Sequence, residues 1–113
     1  MQVLIRDYLA NRAPESRAKL DAIFAAWIAT GPQAQAIMAS SPPLRDAEPR
    51  AQQLVELGTT GQQALAYLDK HEAAPAGWTQ TNLTLIDQAE IPVGLVRFTM
   101  LQPMKDLVKA VPN

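Results

Sequence analysis

The sequence predicts an all-α fold, an up-and-down helical bundle of four main helices with short extra helical turns. Hydrophobic residues make up 48% of the chain and aromatics only 5%, so the apolar content is alanine, leucine, isoleucine and valine, the first two being the best helix formers. Apolar residues recur at helical spacing in each long segment, with no strand-like alternation and no Asn-Gly hairpin signal. Prolines and glycines divide these segments from one another. A length of 113 residues suits one core. Residues 1–113 are therefore read as a single helical domain, expected to be a fragment or an accessory domain of a longer chain.

Val3 to Asn11 reads as a short helix or the tail of one, with Leu4, Ile5, Tyr8 and Leu9 grouped on one face. Pro14, Glu15 and Ser16 suit a first helical turn, where proline loses nothing by lacking an N–H and a carboxylate complements the dipole. The helix that starts there carries Leu20, Ile23, Phe24, Trp27 and Ile28 as an amphipathic stripe. It is expected to end at Thr30-Gly31-Pro32, with Gln33 to Ala39 as a further short turn. Ser40-Ser41-Pro42-Pro43 is a break, because proline disfavours helix in the residue before it.

The most regular segment follows. Leu44, Ala47, Ala51, Leu54, Gly58, Gly61, Leu65 and Leu68 alternate spacings of three and four, which defines a single seam. One long helix is expected from about Ala47 to His71, capped by Asp46 and tolerating Pro49 in its first turn. At about 1.5 Å per residue it would measure roughly 37 Å. Gly58 and Gly61 interrupt the seam, and each costs about 1 kcal/mol against alanine in a helix interior. Close approach of another helix or an aromatic ring would offset that cost, the helix of Trp27 or that of Phe98 being expected there; a ligand pocket or a kink is the alternative. The β-branched pair Thr59-Thr60 is the weakest point for helix continuity.

Glu72 to Gly77 reads as a loop and Trp78 to Gln88 as a shorter helix with Leu83, Leu85, Ile86 and Ala89 as its apolar set. Pro92 is expected to open the last element. Ile91, Leu95 and Phe98, then Leu101, Met104, Val108 and Val111, form two stretches of seam that slip beside Pro103, so a kink or short restart is expected there.

Ten basic against eleven acidic residues leave a net charge of -1, which removes the electrostatic attraction behind most non-specific nucleic-acid binding. No nucleic-acid partner is expected. The absence of cysteine excludes disulfides, thiolate metal sites and a cysteine nucleophile. No run approaches the roughly 20 apolar residues of a membrane span, and Met1 to Asp7 has no basic region followed by an apolar run, so neither a membrane partner nor an export signal is expected.

His71 is the single histidine, which excludes Ser/His/Asp, Cys/His and HExxH arrangements. Its place at the end of the long helix fits a cation interacting with the helix dipole. Glu15, Asp21, Asp46, Glu48, Glu56, Asp69, Asp87 and Asp106 read as solvated or capping residues, with no pair set in apolar surroundings for acid/base work. The glycines form neither GxGxxG nor GxxxxGK. Trp27 belongs to a core stripe, whereas Trp78 follows a loop and would cap the bundle or stack on a partner. Asn82-Leu83-Thr84 matches a glycosylation sequon within an apparent helix. Thus no catalytic residue, metal ligand or cofactor is assigned, and Gly58, Gly61 and Trp78 are the candidate close-packing or pocket residues.

The segment from Arg17-Ala18-Lys19-Leu20 to Trp27, Pro43-Leu44-Arg45-Asp46-Ala47, the run from Leu57-Gly58-Thr59-Thr60-Gly61 to Leu65, and the turn Ala76-Gly77-Trp78 together resemble the helical C-terminal region that follows the catalytic barrel in some bacterial β-N-acetylhexosaminidases of glycoside hydrolase family twenty. That family's catalysis uses an Asp-Glu pair on the barrel, and no Asp-Glu dipeptide occurs here. The resemblance thus implies a non-catalytic accessory domain of a carbohydrate-active hydrolase, supporting a catalytic barrel of the same chain or its subunit contacts. A different class of function is an independent helical interaction or oligomerisation module. A small-ligand binder using a groove beside Gly58 and Gly61 is a third. With its seam consumed inside the bundle, the isolated chain is expected to be a monomer or a weak dimer.

Overall fold

The computed structural model of the protein describes residues 2–43, 48–93 and 98–112. Among them lie five helices and no strand: α1 (Gln2–Asn11), α2 (Pro14–Ser40), α3 (Glu48–Lys70), α4 (Trp78–Val93) and α5 (Phe98–Ala110). Leu44, Asp46, Ala47 and Leu95 lie outside the described residues, as do the side chains of Ala51, Ala89, Ile91, Phe98 and Leu101.

α1 buries Ile5 and Tyr8, with Leu4 and Leu9 partly buried against the same core. It stops because Pro14 holds Ala13 in an extended conformation (φ -63°, ψ 129°). Between them Arg12 turns left-handed at φ 53°, and its N–H donates to the Tyr8 carbonyl at 2.7 Å, which closes the last turn.

α2 departs from expectation. It does not end at Gly31-Pro32 but runs for 27 residues to Ser40, with Pro32 inside it. Part of the clash that keeps a residue before proline out of a helix involves that residue's Cβ, and Gly31 has none. Pro32 still deletes the hydrogen bond to the Ile28 carbonyl, and an interior proline costs about 3 kcal/mol. The helix then ends where Ser41 becomes extended (φ -119°, ψ 105°) ahead of Pro42-Pro43.

α3 is continuous through Thr59-Thr60. The Thr59 hydroxyl donates back to the Val55 carbonyl at 2.9 Å, and that of Thr60 donates to Asn82 Oδ1 at 2.7 Å, so both polar groups are satisfied within a helical backbone. Of the seam, Gly58, Gly61, Leu65 and Leu68 are buried and Leu54 is half-buried, while Leu57, Thr60 and Ala64 widen the buried face. At its end His71 adopts φ 53°; the Glu72 N–H reaches the Tyr67 carbonyl at 3.0 Å and the His71 N–H the Leu68 carbonyl at 3.4 Å. This pair of bonds is a Schellman stop built on histidine instead of glycine.

α4 also runs further than expected. Pro92 does not open the last element but lies in the final turn of α4, and α5 begins at Phe98. α5 passes through Pro103 without a restart; Pro103 is buried, so its ring contributes to packing where its missing N–H cannot. Met104, Leu107, Val108 and Val111 form the buried stripe of this end.

α2 and α3 are antiparallel neighbours: Arg17 pairs with Asp69, Phe24 faces Gly61 and Ile28 faces Gly58. At about 1.5 Å per residue this pair accounts for the long dimension of a molecule measuring 45 × 29 × 24 Å. α1, α4 and α5 pack around one end of it. Lys105 on α5 pairs with Asp87 on α4 at 2.6 Å, and the Ala74 N–H donates to the Pro112 carbonyl at 2.8 Å, pinning the C-terminal segment to the α3–α4 loop.

Candidate functional site

Gly58 and Gly61 lie where α3 comes nearest to α2. A Cβ built on Gly61 would stand 2.5 Å from the Phe24 ring, and one on Gly58 would stand 2.9 Å from the Phe24 carbonyl oxygen and 3.0 Å from Ile28 Cγ1. Real Cβ atoms do not come so close to other heavy atoms, so both positions need glycine for steric reasons, and the packing gained offsets their poor helix propensity. The space above them is filled by Phe24, Trp27 and Ile28. Phe24 is fully buried and meets Trp27 edge-on, ring centroids 5.6 Å apart. Trp27 itself is half-buried.

Trp78 opens α4 and is half-buried. Its indole N–H donates to Gln63 Oε1 at 3.1 Å, and its ring stands edge-on to Tyr67 at 5.5 Å. One turn on, Asn82 is buried; its Nδ2 donates to the Trp78 carbonyl at 2.8 Å while its Oδ1 accepts from Thr60. The asparagine of the sequon is thus a buried crosslink between α3 and α4, its amide already engaged.

A third cluster was not anticipated from the sequence. Arg17 Nε donates to Asp69 Oδ2 at 2.9 Å, its terminal nitrogens reach Asp69 at 2.8 Å and Asp21 at 3.4 Å, and the Tyr8 hydroxyl donates to Asp69 Oδ1 at 3.2 Å. The Arg12 guanidinium lies 5.1 Å from the centre of the Tyr8 ring, within range of a cation–π contact. Tyr8, Arg12, Arg17 and Asp69, with Pro14, Leu68 and His71, line a cleft of about 300 Å³. Arg17 and Asp69 are 52 positions apart, so no local spacing announces the pair.

The electrostatics of this cluster are those of a clamp. Hydrogen bonding from Arg17 holds the Asp69 carboxyl below its ordinary value against the opposing effect of burial. Burial resists charge on Arg17, but its bonds to Asp69 prevail and raise its value. Burial is also the main cause that raises the Tyr8 hydroxyl, and the Asp69 charge adds to it against Arg12. The phenol stays protonated, the carboxylate stays charged with both oxygens engaged, and neither is a free base or nucleophile. His71, on the rim, serves α3 through its backbone.

Among the described residues no group of three or more His, Asp or Glu side chains could hold a metal ion, and no helix is long and apolar enough to cross a membrane. A shallow groove between α3 and α4 is lined by Glu56, Gln80, Thr81, Thr84, Leu85 and Gln88. The outward side of α2 is different in kind. From Ala22 to Leu44 the chain has no Asp, Glu, Lys, Arg or His, and Ala22, Ala25, Ala26, Ala29, Gln33, Ala36, Ile37 and Ser40 are all exposed on it. Ile37 is 63% exposed.

Compared with known proteins, the chain matches no family model, no curated protein and no solved structure.

Proposed function

We propose that this chain, read as an up-and-down helical bundle, is a non-catalytic accessory module that docks to a larger catalytic partner through the outward side of α2. The observation that carries this reading is the contrast between that uncharged, alanine-rich helix face and the polar clusters of the protein. In those clusters Arg17, Asp69, Tyr8, Thr60, Asn82 and Trp78 are engaged with one another. A bare helix face suits burial against another surface, whereas the engaged polar groups offer nothing to a reacting substrate. The resemblance to the helical region of family-twenty β-N-acetylhexosaminidases supplies the partner class, a catalytic barrel of a carbohydrate-active hydrolase.

The purified chain is expected to give no turnover of a chromogenic N-acetylglucosaminide; turnover that persists after contaminating enzyme is excluded overturns the non-catalytic reading. Coding sequence for a barrel upstream of this segment supports the hydrolase partner, and a complete short reading frame removes it. The second reading, an independent oligomerisation module, rests on the same bare face. Light scattering that shows a tight dimer at micromolar concentration would favour it over the monomer or weak dimer expected of an isolated accessory module.

A further inference from the structure

We propose that α2 is two cooperative units joined at Gly31-Pro32, and that its distal part, Pro32 to Ser40, opens and melts while the rest of the bundle stays folded. Two observations carry this. Pro32 lies inside the helix, so its nitrogen gives no bond to the Ile28 carbonyl and the backbone ladder is interrupted there. Beyond it, no residue of α2 is buried: Ala34, Gln35 and Met38 are half-buried and the others exposed, whereas Leu20, Phe24 and Gly31 before it are buried.

Opening of this part costs little buried apolar surface. Once detached, the distal part is too short to remain helical alone, because isolated helices shorter than about 12–15 residues are marginal in water. Opening is thus a melting event and not a rigid swing. The inference is independent of which partner the outward face meets.

Native-state hydrogen exchange of the full chain reads this directly. The amides of Ala36 to Ser40 bond within the distal part, and they are expected to exchange about 100-fold or more faster than those of Phe24 to Ile28, with the step at Pro32. Pro32→Ala restores an N–H at an exposed position and should shrink that ratio by about tenfold. Pro32→Ser restores the same N–H, should shrink the ratio in the same direction, and serves if the first variant cannot be purified. Protection that declines gradually inward from Ser40 with no step, or a step that Pro32→Ala leaves unchanged, is simple end fraying and overturns the proposal.

Discussion

Where α3 ends, it is gripped from several sides: Leu65 and Leu68 are buried together with Ile5 and Tyr8 of α1, Leu20 of α2, and Met104 and Val108 of α5, and the Arg17–Asp69–Tyr8 clamp closes over them. Where α3 begins, its neighbour is the distal part of α2, and none of the described side chains from Pro32 to Leu54 is buried. The same two helices thus pass from core to arm within one element each. Helix length and regular spacing do not measure stability; the number of elements that converge on a face does, because burial is the dominant favourable term in folding.

The α2–α3 pair is most sensitive at the boundary between its core and its arm. Gly61→Leu should destabilise the protein by roughly 1–3 kcal/mol through overpacking, despite leucine's better helix propensity, since even its Cβ would fall 2.5 Å from the ring of the fully buried Phe24. Denaturant unfolding measures this as a lowered midpoint, and a raised midpoint would show that the glycine does not sit in a filled contact.

A smaller effect is expected at the clamp. Asp69 is 43% exposed in its side chain, so solvent screening limits the pair, and Asp69→Asn should cost under about 1 kcal/mol at neutral pH. The carboxyl has a lowered value when folded, so its contribution is present above the ordinary value of 3.8 and is lost as pH falls below it towards the folded value. The difference between wild type and variant should therefore be full at pH 7 and shrink from about pH 4 downwards. A difference independent of pH across that window would place the cost in packing and not in charge.

The smallest effect belongs to the arm. Ile37→Ser removes a large apolar side chain, but from a position 63% exposed, and should change stability by no more than about 0.5 kcal/mol. A thermal unfolding shift well beyond that would mean that the arm is held as tightly as the core.

How much of this was legible in the sequence follows from the range of each cause. Local causes were readable: the stop before Pro14, the break at Pro42-Pro43 and the seam through Gly58, Gly61, Leu65 and Leu68 depend on neighbours within a turn or two. The extension of α2 past Pro32 depends on the glycine before it, which carries no Cβ for the proline ring to clash with, and α4 holds Pro92 in its last turn, although a proline alone equally suits a helix start. The Arg17–Asp69–Tyr8 clamp was invisible, since it joins positions 52 and 61 residues apart. Asn82 read as a sequon because nothing local showed its buried partner on α3.

The contact between Phe24 and Gly61 also makes a statement about descent. One position carries a large ring and the other no side chain at all, and their combined volume is what the space between α2 and α3 accepts. A lineage that acquired a side chain at position 61 would have to give up the ring at position 24, and the route between the two states passes through an intermediate that is either overfilled or hollow. Among descendants of this chain a bulkier residue at one position should therefore be accompanied by a smaller residue at the other.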